Sequence, residues 1–167
     1  MKPKEINSDV LKMMSFLVLV LIGFSCAGPQ QTAGLNDAAA PTNINVIFVH
    51  TNLDAKTAYK KVAQKLQNRG YTFRSTDETL KSISTEFRGV SQRWGVDNTF
   101  VRIGANVQGE SNSKIAIRGW YKTLENEDTE SGQTIKKAGQ NGSPTRNAWK
   151  EMYQVAKSLG DSLSYRK

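Results

Sequence analysis

The sequence predicts a two-layer α+β sandwich, in which an antiparallel sheet carries two helices on one face. Segments with apolar residues at alternate positions predict half-buried antiparallel strands. Two other segments, one early and one late in the chain, have apolar residues at three- and four-residue spacing, which is typical of amphipathic helices. The predicted element order is β-α-β-β-β-β-α, within a single domain that spans 44–167.

The first strand and the first helix are predicted from the start of this domain. Ile44–His50 is a short run rich in β-branched residues, which favours a strand. Asn52 or Asp54 has the side chain to cap the helix that follows, which is predicted over Ala55–Arg69. Gly70 would end this helix because glycine adopts the left-handed conformation at low cost.

Four more strands are predicted in the middle of the chain. Tyr71–Thr76 and about Lys81–Arg88 show a weak alternation of apolar and polar residues. Asn98–Gln108 and Lys114–Thr123 alternate clearly, and Gly109–Ser113 between them has the length and composition of a hairpin loop. These two segments therefore predict a β-hairpin.

The last part of the chain predicts a long loop and a second helix. Leu124–Gly142 is polar and has no apolar period, so we expect a loop. Ser143-Pro144 has the residues of a helix start, a cap followed by proline in the first turn. Apolar residues continue at helical spacing from Trp149 past Gly160, so the helix is predicted to reach about Leu163, with Trp149 in the core.

The first 25 residues predict a signal peptide. Lys2, Lys4 and Lys12 come before Met13–Phe24, which is a run of twelve uncharged residues. Such a run spans about 18 Å as a helix, well short of the ~30 Å hydrocarbon core of a membrane. A basic start, a short apolar run and small residues after it are typical of secretory signal peptides.

The end of this segment resembles the lipobox of bacterial lipoprotein precursors. Ser25 supplies the small residue directly before Cys26, and the apolar run lies upstream; Gly23 departs from the aliphatic residue that the family favours. The resemblance implies that Cys26 becomes the lipidated first residue and carries acyl chains that anchor the protein stably. Cys26 is also the only cysteine of the chain, so no disulfide partner exists for it within the chain.

The resemblance also implies a location. Residues 26–43 are predicted to form the lipidated cysteine and a flexible tether, because they are rich in Gly, Pro, Ala, Gln and Asn. We expect a protein of the bacterial cell envelope that is lipid-anchored, in the outer membrane and facing the periplasm. The element order together with the lipoprotein signal is similar to the helix-grip modules of BamC-type outer-membrane assembly lipoproteins.

The residues that could support catalysis are few. One His and one Cys exclude a disulfide framework and a Cys/His zinc site. His50 ends the first predicted strand, where we expect a structural or solvent-facing role. The acidic run Glu125–Glu130 offers carboxylates that suit calcium but lacks the glycine-containing frame of a calcium loop, so we expect a solvated loop. We expect no enzymatic activity, no metal and no cofactor.

Charge and patterning point instead to binding. Lys and Arg outnumber Asp and Glu by 23 to 15, which gives a net charge of +8. Outside the cytoplasm no nucleic acid is expected as a partner, whereas lipid headgroups, lipopolysaccharide, cell-wall polymers and acidic protein surfaces are available polyanions.

The predicted hairpin places basic and aromatic residues on the sheet face opposite the helices. This candidate interaction face consists of Phe100, Arg102, Arg118, Trp120 and Lys122. Aromatic and arginine side chains together are typical of interface hot spots. Arg88, Arg93 and Trp94 would border the face. In the alternative interpretation the face is simply solvated, with Trp120 lying flat and arginine stems covering it.

The sequence therefore predicts a membrane-anchored bacterial lipoprotein that acts as a non-enzymatic protein-interaction or envelope-assembly module. Its expected partners are the membrane, through the lipid anchor at Cys26, and an envelope protein or anionic envelope polymer. One alternative is a binder of an anionic glycan or lipid, held between the helices and a curved sheet. Another is a cell-envelope hydrolase, which would need His50 or a pair of carboxylates.

Overall fold

The computed structural model describes residues 40–93, 96–126, 131–160 and 162–167. In this part of the chain an antiparallel sheet of eight strands carries two helices on one face, which confirms the predicted two-layer α+β sandwich. Within the same residues, no helix is long and apolar enough to cross a membrane. The predicted signal peptide, Cys26 and the tether as far as residue 39 lie outside the described residues.

The elements alternate little along the chain, because six strands follow one another between the two helices. The strands are β1 (Val46–His50), β2 (Phe73–Asp77), β3 (Ser82–Thr85), β4 (Arg88–Arg93), β5 (Val96–Gln108), β6 (Lys114–Thr123), β7 (Gln133–Thr134) and β8 (Ser162–Arg166). The helices are α1 (Ala55–Asn68) and α2 (Pro144–Lys157), with a 3₁₀ turn at Leu124–Asn126.

The predicted hairpin, β5 and β6, forms the centre of the sheet. The strand order is β2-β3-β5-β6-β1-β8, and every pair is antiparallel. Two short strands lie outside this order. Strand β4 pairs with the part of β5 that precedes the β3 pairing, and β7 pairs with the part of β6 that follows the β1 pairing. Both sides of the long hairpin are therefore covered by strands from distant parts of the chain.

Both helices begin where their capping residues predict. The side chain of Asp54 accepts a hydrogen bond from the Thr57 amide at 3.0 Å, which satisfies a free donor in the first turn of α1. Ser143 accepts one from the Arg146 amide at 3.3 Å, with Pro144 in the first turn of α2. Gly70, at a φ of 79°, follows the end of α1 as expected.

The prediction that the second helix continues to about Leu163 is wrong. Helix α2 ends at Lys157, and after Gly160 the chain returns as β8, which pairs with β1. Leu163 is buried because it lies on the inner face of β8, opposite Val49. Its four-residue spacing from Leu159 therefore imitates a helical stripe that the chain does not form.

Two further strands were not predicted. The predicted third strand ends early, at Thr85, and Arg88 begins a separate strand that pairs with the same β5. Gln133–Thr134 lies inside the predicted long loop and pairs with β6. The observed order is thus β-α-β-β-β-β-β-β-α-β in the described residues, although the fold class is the predicted one.

The core lies between the helices and the inner face of the sheet. Trp149 is fully buried there, as predicted, and its ring centroid lies 6.5 Å from that of Tyr153. The domain also includes residues placed in the tether: Ala40 is buried, its carbonyl accepts a hydrogen bond from Lys137 Nζ, and the Asn43 amide donates to the Lys137 carbonyl at 3.1 Å. Packing against the domain thus begins at least four residues before Ile44.

Candidate functional site

The outer face of the sheet, which is remote from both helices, carries all five residues of the predicted interaction face. Val101 and Ile103 on β5 and Ile115 and Ile117 on β6 are fully buried on the inner face. The alternate positions of these strands therefore point outward. They include residues that are half-buried or exposed, namely Phe100, Arg102, Arg118, Trp120 and Lys122.

Four of these residues form one cluster together with Phe87. The guanidinium carbon of Arg102 lies 4.9 Å from the ring centroids of both Phe87 and Trp120. Lys122 Nζ lies 5.1 Å from the Phe87 centroid and 6.0 Å from the Phe100 centroid. Two cations thus alternate with three aromatic rings, within the range in which a ring quadrupole attracts a cation. We call Phe87, Phe100, Arg102, Trp120 and Lys122 the cation–aromatic cluster.

Arg102 is held firmly within this cluster. Its Nη2 donates a hydrogen bond to the Ser131 carbonyl at 3.0 Å, whereas its Nε is buried and has no hydrogen-bond partner among the residues that the structure describes. Burial and then the charge of Arg74 lower the pKa of Arg102, and Glu86 partly opposes them. Arginine remains protonated in proteins, so the group is a fixed cation between two rings. A cation that is already positioned loses little side-chain entropy when a partner binds.

Trp120 lies flat against the sheet because Gly104 has no side chain. A Cβ at Gly104 would lie 3.1 Å from Cζ3 of Trp120, so the indole occupies the space above the β5 backbone. This is the position of Trp120 in the alternative interpretation of a solvated face. The indole is nevertheless only half-buried and contacts the guanidinium of Arg102, which leaves the cluster open to a partner.

Arg118 lies on the outer face two residues before Trp120 on β6, and it lines two depressions. The first has a volume of about 490 Å³ and the second about 310 Å³. Arg118, Trp120 and Arg166 line both of them, so we treat the two depressions as one trough. The five predicted residues therefore divide between the cation–aromatic cluster and the trough, with Trp120 at the boundary.

Arg88 does not border this face, contrary to the prediction. It pairs with Val101 on the inner side of the sheet, and its Nη2 donates a hydrogen bond to Glu151 Oε1 on α2 at 2.8 Å. The error arose because β4 was not recognised as a separate strand, and the pairing of β4 decides which face Arg88 occupies. The side chain of Arg93 and the whole of Trp94 lie outside the described residues.

Phe87 is the member of the cluster that the sequence did not reveal. It lies in the connection between β3 and β4, two strands that pair with successive parts of β5. No alternation marks it, because it belongs to neither strand. Its neighbours in the cluster come from β5 and β6, and only the pairing of the three strands brings it to them.

His50 lies at the end of β1, where the sequence placed it. Its Nε2 is 2.8 Å from the hydroxyl oxygen of Ser164, and burial and then the charge of Lys114 lower its pKa. In the described residues, no three His, Cys, Asp or Glu side chains come together in a way that could hold a metal ion. Residues 127–130 of the predicted acidic loop lie outside the described part.

These observations define a class of protein: a small α+β sandwich whose outer sheet face carries a cation–aromatic cluster and a basic trough. Comparison of the sequence with protein-family models gives no match, and comparison with curated proteins gives no significant match. Among solved structures, the chain is similar to the crystal structure of a DUF4468 family protein from Bacteroides ovatus. The identity is 11%, over 77% of this chain and 84% of that chain, with a TM-score of 0.34.

Proposed function

We propose that this chain is a membrane-anchored, non-enzymatic interaction module of the bacterial cell envelope, and that its outer sheet face docks an acidic surface of an envelope protein. The observation that carries this proposal is the cation–aromatic cluster, in which Arg102 is held between Phe87 and Trp120. Interface hot spots are rich in tryptophan, tyrosine and arginine at the centre of a contact. The two cations of the cluster make an acidic surface the complementary partner.

The position of the cluster within the fold also supports docking. Both helices pack on the inner face, so neither of them covers the outer face of β5 and β6, where Ser131 and Phe87 contact Arg102 from neighbouring segments. Arg102 and Trp120 lie directly opposite each other on these central strands, with β4 beside β5 and β7 beside β6. Four of the five cluster residues thus lie on paired strands, and a surface that is already ordered lowers the entropic cost of association.

The proposed anchor rests on the sequence, namely on the signal peptide and on the lipobox-like segment that ends at Cys26. We expect the protein from a membrane fraction to have an intact mass that begins at Cys26 and includes acyl chains. The Cys26→Ala variant should lack the acyl chains and should leave that fraction. A wild-type mass without lipid would contradict the anchor, although it would leave the outer face untouched.

Docking can be tested with a photo-crosslinking amino acid at position 100, in cells that produce the full-length chain. We expect an adduct with an envelope protein, and the adduct should become about tenfold less abundant when Trp120→Ala is added, as for a hot-spot residue. Leu80→Ala is the matched control, because Leu80 is 66% exposed and lies outside the cluster. This control should leave the yield of the adduct unchanged.

Two outcomes of this experiment would contradict the proposal. The crosslinker at Gln64, which is exposed on α1 and faces away from the sheet, could give the same adducts as position 100. Alternatively, Trp120→Ala could leave the adduct as abundant as in the wild type. Thermal unfolding of Trp120→Ala should show a folded domain, because its indole is only half-buried.

A specific observation favours a second candidate function, the binding of an anionic glycan, and it is the trough. The trough runs beside the cation–aromatic cluster but contains different cations, Lys114, Arg118 and Arg166. No observation among the described residues favours the other alternative, a cell-envelope hydrolase.

A further inference from the structure

We propose that the trough binds an acidic polysaccharide chain of the uronate type, laid across the strands of the sheet. The inference rests on the second candidate function and names its class of glycan; it is independent of protein docking, because it concerns another part of the outer face and another class of ligand. It rests on the length of the trough, on the distribution of charge along it and on the chemistry of its floor.

The length follows from the pairing of the strands. A single row of paired residues crosses six strands, from β2 to β8: Ser75, Ser84, Gly104, Arg118, Val46 and Arg166. Neighbouring strands lie about 4.8 Å apart, so the row is about 24 Å long. All six residues line one or both of the depressions. The trough therefore suits an extended ligand better than a single small anion.

The floor of the trough combines small side chains with a few large ones. The row next to the first contributes Ser82, Asn106, Ala116 and Phe48. The indole of Trp120 lies over Gly104 and therefore forms part of the floor, and in the neighbouring positions Lys114 Nζ lies 4.0 Å from the centroid of the Phe48 ring. A chain laid across the strands would thus pass over one aromatic ring and beside a cation.

The charges of the trough have one sign. Lys114, Arg118, Arg166 and Lys167 line it, and none of the lining residues in the described chain is acidic. Asp77 shares a row with Ser82 at the outer end, but its carboxylate accepts a hydrogen bond from the Leu80 amide. Arg118 and Arg166 are separated by one strand, which places their backbones about 10 Å apart. Repeated cations at such spacing fit the repeated carboxylates of a polymer.

The floor favours a sugar over a polypeptide. Serine hydroxyls and an asparagine amide line it beside Phe48, Ala116 and Trp120, so it offers both hydrogen-bonding groups for sugar hydroxyls and aromatic surface for a sugar ring. The backbone groups beneath it are already paired within the sheet, so an extended peptide could not add to the sheet here. Asn45 and Thr134 in the second depression add an amide and a hydroxyl to these groups.

The test is a calorimetric titration of the full-length protein in detergent with a short polygalacturonate, at about 0.15 M salt. We expect Arg118→Gln/Arg166→Gln to weaken binding on the order of tenfold, because two charge-assisted contacts are lost. The matched control is Lys60→Gln/Lys157→Gln, which removes the same charge from exposed positions on the helices and should change the affinity less than about twofold. Neutral dextran should not bind.

Three results would overturn the inference. The wild type could fail to bind polygalacturonate. Both double variants could weaken binding equally, which would indicate attraction by net charge alone. Finally, an acidic peptide could bind more tightly than polygalacturonate and lose its binding in the trough variant. The trough variant should keep the photo-adduct at position 100. If glycan binding fails while that adduct forms, only this inference is lost, and the proposed docking function remains.

Discussion

Replacing Glu151 with glutamine should lower the free energy of unfolding by about 2–4 kcal/mol, since it removes one partner of a largely buried ionic cluster. The Glu151 carboxylate accepts four hydrogen bonds. Two come from Arg69, at 3.1 Å from Nε and 2.6 Å from Nη2; the others come from Arg88 at 2.8 Å and from the Tyr71 hydroxyl at 3.1 Å. The side chain of Glu151 is only 11% exposed. Without its charge, two guanidinium groups remain partly buried with no counter-ion.

This cluster connects parts of the chain that the sheet alone does not hold together. Arg69 caps the end of α1, Tyr71 follows it, Arg88 begins β4, and Glu151 lies in the middle of α2. The guanidinium of Arg88 also lies 4.5 Å from the centroid of the Tyr71 ring, so Arg88 and Tyr71 contact each other as well as Glu151, whereas Arg69 is bound through Glu151. Loss of the carboxylate should therefore loosen the docking of both helices.

The measurement is chemical denaturation at pH 7, with Glu110→Gln as the control. Glu110 is exposed in the hairpin loop, and its substitution should change the unfolding free energy by less than about 0.5 kcal/mol. A loss for Glu151→Gln as small as that of the control would show that the two arginines are adequately solvated without the carboxylate.

The same cluster makes the stability of the domain depend on pH in the acidic range. Burial opposes the ionisation of Glu151, but the hydrogen bonds and charges of Arg69 and Arg88 outweigh it, so the pKa of Glu151 lies below its ordinary value. At a pH between the folded and the unfolded pKa of Glu151, the unfolded chain binds more protons than the folded one, so stability rises with pH. The contribution is complete above the unfolded pKa of about 4.3 and is lost as the pH falls through the folded pKa. The difference between wild type and Glu151→Gln should therefore shrink below about pH 4.

The parts of the fold that local sequence determines were predicted well. The alternation along β5 and β6 needs only neighbouring residues and a short loop, and β6 has its predicted bounds, Lys114–Thr123. The helix caps Asp54 and Ser143 act within one turn of chain. Strands β4, β7 and β8 depend instead on partners elsewhere in the chain, and β7 has only two residues in which a pattern could appear. Local patterning cannot reveal them.

The same distinction applies to the candidate site. Alternation alone showed that Arg102 and Trp120 share a face, because both lie in the hairpin. The sequence could not show that Phe87 lies above Arg102, since this contact joins two segments through the pairing of β4 and β5. The trough was hidden for the same reason, because its row combines residues of six strands, from Ser75 to Arg166. Its single charge sign appears only when those strands are placed side by side.

Gly160→Ala should destabilise the domain by about 1–3 kcal/mol through overpacking. A Cβ at this position would lie 2.5 Å from Val49 Cγ1 and 2.6 Å from the carbonyl oxygen of His50, both on β1. The turn between α2 and β8 therefore sits directly on its neighbouring strand, and only a residue without a side chain allows this approach. The sign of the change in unfolding free energy is informative, because replacing a glycine in an unstrained position with alanine stabilises a protein by about 0.4–1 kcal/mol.

A double-mutant cycle with Val49→Ala separates the two contacts. Val49→Ala removes Cγ1 but leaves the His50 carbonyl in place, so it should recover only part of the cost of Gly160→Ala. Full recovery would mean that the side chain, and not the backbone of β1, limits this turn. A neutral or stabilising Gly160→Ala would mean that the turn does not sit against β1 at all. In that case the pairing of β8 with β1, which carries Arg166 into the trough, would need another explanation.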